Sequence, residues 1–161
     1  MLEPLKKFFC DFCDGLISSP EEGYVEWLNE LNPELRRREN HGFKIVHHKS
    51  YSPNTEGCYH YSNYPGRQDI DLSYFTGSSK MAHIFSLIDV GPYHNPEFDG
   101  PIVKNIREFV EFARRLTIPY FEEARKFWPN ALEDGYFSGE NEVSIYSPDF
   151  LKRLIEHYCG E

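Results

Sequence analysis

Basic residues are scarce in this chain, with 17 Lys and Arg against 26 Asp and Glu and a net charge of −9. That balance disfavours nucleic-acid backbones, which are bound through clustered Lys and Arg. Long hydrophobic runs are also missing. No apolar stretch approaches the ~18 residues that suggest a membrane span. The start, Met1-Leu2-Glu3-Pro4-Leu5-Lys6-Lys7, lacks the apolar stretch and small-residue cleavage site of a secretory signal. The cytoplasm is therefore the expected compartment, and no membrane partner is expected.

Alanine is nearly absent, with only Ala82, Ala113, Ala124 and Ala131. Catalytic signatures are missing altogether: there is no G-x-S-x-G elbow, H-E-x-x-H, P-loop or G-x-G-x-x-G. That lowers the odds of a common enzyme, and no catalytic residue is assigned. Low-complexity tracts, repeats and linkers are lacking as well, so the chain reads as one domain over 1–161.

Large rings fill the place of the missing small residues. Thirteen Phe, 11 Tyr and two Trp make a core of rings, and each buried tyrosine hydroxyl needs a partner. Apolar spacing over 5–17 predicts a first helix, with Leu5, Phe8, Phe9, Phe12 and Leu16 on one face. Ser19-Pro20-Glu21-Glu22 reads as the start of a second, running to Leu31. Strands are expected at 43–49, 69–75 and 81–90, with a long loop at 50–68 and another at 91–100. Helices are expected at 101–116, at 119–128 and, after Ser147-Pro148, at the C-terminus, with a short strand over 141–146. Helices, then strands, then helices imply an α+β fold: an antiparallel sheet of about three to five strands covered by helices in a single layer pair.

Four cysteines stand at 10, 13, 58 and 159. In a reducing compartment Cys10 and Cys13, spaced C-x-x-C, are weighed as metal ligands, redox pair or core before a disulfide. Zinc needs four convergent ligands, and Cys58 and His60 are the nearest to complete the set. No second C-x-x-C or H-x-x-x-H follows, and the pair falls on a stripe read as helical. It is therefore read as core, and neither a metal nor another cofactor is expected. His47 and His48 occupy adjacent strand positions, point to opposite faces and are not expected to share an ion.

Two surface features remain. The loop 51–67 carries Tyr59, Tyr61 and Tyr64 among Ser, Asn and Gly, followed by Asp69 and Asp71, a composition suited to recognition. Residues 127–151 contain no Lys or Arg but do contain Glu133, Asp134, Glu140 and Glu142, a one-signed stretch that would steer a basic protein. The leading expectation is thus an acidic protein-binding module, in concrete form an immunity protein that occludes a basic, nuclease-type toxin. The alternative is a small enzyme or metal-binding protein that uses His47 or His48, His60 and His83 with Asp69, Asp71 and Asp89 on one sheet face.

Overall fold

A computed structural model describes residues 1–91 and 100–160, and the loop expected over 91–100 lies largely outside the described residues. The fold is α+β with antiparallel sheets, as expected. Its centre is a three-stranded sheet in the order β4-β3-β5, formed by β3 (Gly23–Asn32), β4 (Arg37–His47) and β5 (Arg67–Asp71). Asn32 turns the chain between β3 and β4, its side-chain oxygen accepting from the N–H groups of Glu34 and Leu35. A second, two-stranded sheet pairs β1 (Phe8–Phe9) with β2 (Leu16–Ile17), placing Phe8 opposite Ile17.

Two expected helices are therefore strands. Residues 5–17 form the β1–β2 hairpin, and β3 replaces the second helix after a single 3-10 turn at Pro20–Glu22. The misreading of β3 has a physical cause. Both of its faces are covered, so apolar and polar residues do not alternate strictly: Val25 lies in the sheet core, and Glu26, pointing the opposite way, is buried where its carboxylate accepts from the His60 N–H. Val25, Glu26 and Leu28 are all buried, a spacing that imitates one face of a helix.

The converse correction applies to 81–90. α1 (Lys80–Ile88) is a helix in which Ile84 and Leu87 are buried while Phe85 is 57% exposed. A near-continuous apolar run of this length fits either state, and here only one stripe meets the core. α2 (Ile106–Thr117) follows the expected helix, with Asn105 capping it by accepting from the N–H groups of Arg107 and Glu108. Phe109 and Phe112 of α2 pack on Phe43 of β4, with ring centroids 5.6 and 5.1 Å away. Val110, on the same helix, is exposed.

The remaining helices are α3 (Phe121–Ala124), α4 (Trp128–Glu133) and α5 (Pro148–Cys159), the last capped by Ser147 as expected. The short strand expected over 141–146 is instead a 3-10 turn at Ser144–Tyr146. Two apolar clusters result. One surrounds the sheet with α1 and α2. The other joins Phe121, Ala124, Ala131, Phe150, Leu151, Leu154 and Ile155.

Candidate metal centre

Because 5–17 is a hairpin, its C-x-x-C pair lies in a tight turn. The Cys10 N–H donates to the Gly15 carbonyl and the Asp14 N–H to the Cys10 carbonyl, each at 2.9 Å. Asp14 adopts φ 58°, a left-handed conformation that short polar residues tolerate. Gly15 suits the close packing of this turn: a Cβ there would lie 3.2 Å from Cys13 Sγ, a tight contact, and 3.4 Å from His47 Cε1. Asp11 stitches the turn to β4. Its N–H donates to the Ile45 carbonyl at 2.8 Å, and its carboxylate accepts from the Ile45 N–H at 2.7 Å.

This stitch brings the end of β4 to the turn. His47 is buried there, with Nδ1 3.4 Å from Cys13 Sγ and Nε2 3.1 Å from the Leu16 carbonyl. A carbonyl only accepts, so Nε2 carries the proton and Nδ1 presents its lone pair to the cysteines. Cys58 arrives from the loop after β4, fully buried, with its Sγ 3.0 Å from Ser52 Oγ. The ligand atoms of Cys10, Cys13, His47 and Cys58 all lie within 4.8 Å of one another. A tetrahedral ion with bonds of about 2.3 Å to sulfur and about 2.0 Å to nitrogen holds its ligands a little under about 4 Å apart. A contraction on the order of 1 Å completes that geometry.

The electrostatics suit a cation. Burial pushes the Cys10 thiol up to about 12, against backbone N–H groups of Cys13, Phe12 and His47 that point at its sulfur. Burial likewise raises Cys58, while the Ser52 hydroxyl works in the opposite direction. Three thiolates without a countercharge would be costly here, and a divalent ion supplies that charge. A soft donor set of three sulfurs and one imidazole nitrogen favours zinc over the hard ions. All four positions are side chains, the pattern of a structural site with no open place for water or substrate.

The sequence reading named Cys10, Cys13 and Cys58 but offered His60 as the fourth member. The structure replaces it with His47, correcting both that choice and the reading of the pair as a helical stripe. The backbone N–H of His60 donates to Glu26 Oε1 at 2.7 Å, and its ring stands against Phe12 at 5.3 Å. The overlooked signal was Asp14-Gly15 directly after the second cysteine, turn chemistry that a helix would not carry. His47 and His48 do diverge: the His48 ring lies against Tyr24 at 4.6 Å. His83 sits on α1 between Tyr74 and Phe75, and Asp89 accepts from the Gly91 N–H. Among the described residues, no second group of three or more His, Cys, Asp or Glu offers ligand atoms this close.

The residues expected to meet a partner are distributed unevenly. Tyr59 packs against the sheet core with the Arg67 guanidinium 4.4 Å above its ring. The Tyr61 hydroxyl donates to the Gly42 carbonyl at 2.8 Å, and burial pushes it up to about 12. Tyr64 is exposed, Asp69 pairs with Arg67 at 2.8 Å, and Asp71 is exposed at the end of β5. Glu133, Asp134, Glu140 and Glu142 are all exposed, with Asp134 accepting from the Tyr158 hydroxyl at 2.8 Å. No helix among the described residues is long and apolar enough to cross a membrane. No protein-family model matches the chain, and neither a curated protein nor a solved structure resembles it significantly, so the cluster of three cysteines and one histidine stands on its own geometry.

Proposed function

We propose that this chain is a zinc-binding protein in which one Zn(II), held by the thiolates of Cys10, Cys13 and Cys58 and by His47 Nδ1, is a structural centre. The observation that carries the proposal is the convergence of four ligand atoms within 4.8 Å from three separate segments: a hairpin turn, a strand end and a loop. Supporting it are the glycine where a Cβ would sit tightly against Cys13 Sγ and the carbonyl that fixes the His47 tautomer. The ion joins segments that are remote in the chain, as structural zinc does in small folds. Elemental analysis of protein purified without chelators is expected to find about one zinc per chain. A chain that contains no zinc and takes none up from solution would overturn the proposal.

A second reading concerns what the scaffold does. The exposed, one-signed acids Glu133, Asp134, Glu140 and Glu142, with exposed Tyr64, favour an acidic module that binds a basic protein, in concrete form a nuclease-type toxin. Occlusion would be steric and electrostatic, and the zinc would serve only the shape of the module. A partner recovered by pull-down should associate more slowly as salt rises, since surface charges are screened over about 8 Å at physiological ionic strength. An association rate indifferent to salt would exclude this mechanism.

A further inference from the structure

The two apolar clusters meet across a buried polar joint, and the cysteine turn is one half of it. Arg115, near the end of α2, is 5% exposed and makes five hydrogen bonds. Three go to the hairpin: two to the Asp11 carboxylate at 2.9 and 2.7 Å, one to the Phe9 carbonyl at 3.1 Å. The other two go to the Glu122 carboxylate in α3, at 2.7 and 2.9 Å. Glu122 is itself buried and accepts from the Phe9 N–H at 2.9 Å, which closes the circuit back to the hairpin. Lys126, one helical turn onward, reaches Asp14 at 2.6 Å and covers the Phe9 ring at 3.7 Å.

Burial opposes the Arg115 charge, but Glu122 and Asp11 more than compensate. Such a group is tolerable only while both carboxylates stay in place, because one stranded buried charge is strongly destabilising. The hairpin that presents Asp11 and Phe9 has only two residue pairs, far too few to hold its own shape in water. What fixes the Asp11 position is the turn between Cys10 and Cys13, together with the stitch to Ile45.

We infer that the metal centre governs the docking of the C-terminal helical layer: the ion orders the cysteine turn, the turn presents Asp11 and Phe9 to Arg115 and Glu122, and this joint holds α3 against the sheet. The inference rests on the zinc reading and adds a consequence to it. Loss of the ion, by chelation or thiol oxidation, loosens the joint while the aromatic packing inside the helical layer persists. Coupling of this kind is reciprocal, so weakening the joint also weakens the hold on the ion.

Hydrogen exchange on the intact protein, with and without a zinc chelator, tests this. Protection of the amides over 115–125 is expected to fall by about tenfold or more on chelation, while those of α5 change much less. In parallel, Glu122→Gln, which touches no ligand, should weaken zinc binding by about tenfold in competition with a chromophoric chelator, as outer-shell changes do. Should that variant not fold, Asp11→Asn serves, since it keeps one acceptor for Ile45 while removing the charge and one of the two oxygens that accept from Arg115. A chain that binds no zinc overturns the zinc reading and this inference together. Zinc binding with unchanged protection over 115–125, uniform loss of protection throughout the chain, or unchanged affinity in both variants overturns the inference alone.

Discussion

The sheet layer and the helical layer are built from the same ring-rich composition, yet they close their cores differently. The helical layer is local: its members lie between 118 and 158, and its rings pack across short separations, such as Trp128 on Phe137 at 4.8 Å and Phe137 on Phe150 at 5.8 Å. The sheet layer gathers residues from Phe8 to Leu116 and must close long loops to do so. Loop closure carries an entropic cost that local packing avoids. The cysteine–histidine cluster lies where three of these remote segments meet, so a metal cross-link there answers a need the helical layer does not have.

The comparison is broken most severely by removing a ligand. His47→Ala or Cys58→Ser should cost ~3–5 kcal/mol or prevent folding, because structural zinc contributes folding free energy directly. Thermal melting with and without chelator checks this, and wild-type protein should lose stability on chelation where these variants do not.

Core truncation sharpens the comparison. Phe109→Ala in the sheet layer and Phe150→Ala in the helical layer each remove a buried ring and should each cost roughly 3–5 kcal/mol. After chelation, denaturant titration should show the Phe109 penalty shrinking, because its layer is already loosened, with the Phe150 penalty nearly unchanged.

A smaller effect is expected at Glu26, which is wholly buried on β3. Its Oε1 accepts from the His60 N–H, while Oε2 has no hydrogen bond and lies 3.8 Å from Arg67 Nε. Burial raises its pKa, despite the opposing His60 and Arg67. A group whose folded pKa is raised contributes stability that is present below its unfolded pKa and lost as pH climbs through the folded one. Glu26→Gln should therefore be more stable than wild type at about pH 8, with the advantage narrowing towards about pH 5.5. An advantage that grows on acidification would contradict the burial account. Smallest of all, Phe85→Ala should stay within about 1 kcal/mol, because that ring faces outward on α1.

The helical layer was largely legible in the sequence, and the sheet layer only in part. Ser147 announces α5 because a cap is a local device, readable from neighbouring residues, whereas in the sheet layer α2, expected from residue 101, begins only at Ile106 after the Asn105 cap. β3 was hidden because both of its faces are buried, one of them by the loop that carries His60, a contact its own residues do not announce. The centre was half visible: Cys10, Cys13 and Cys58 stood out, but His47 joins them only through the pairing of Asp11 with Ile45, a contact between remote segments that no local spacing encodes. The acids from 133 to 142 were expected at the surface and are exposed, whereas Tyr59 and Tyr61 are half-buried structural rings, which leaves Tyr64 as the exposed one of those three.

The central claim is that one zinc ion ties the hairpin, β4 and the Cys58 loop together, and X-ray absorption at the zinc edge on the purified protein addresses it directly. The account predicts a four-coordinate shell of three sulfurs at about 2.3 Å and one imidazole nitrogen at about 2.0 Å. A protein without zinc, or a shell dominated by oxygen and nitrogen, would contradict it.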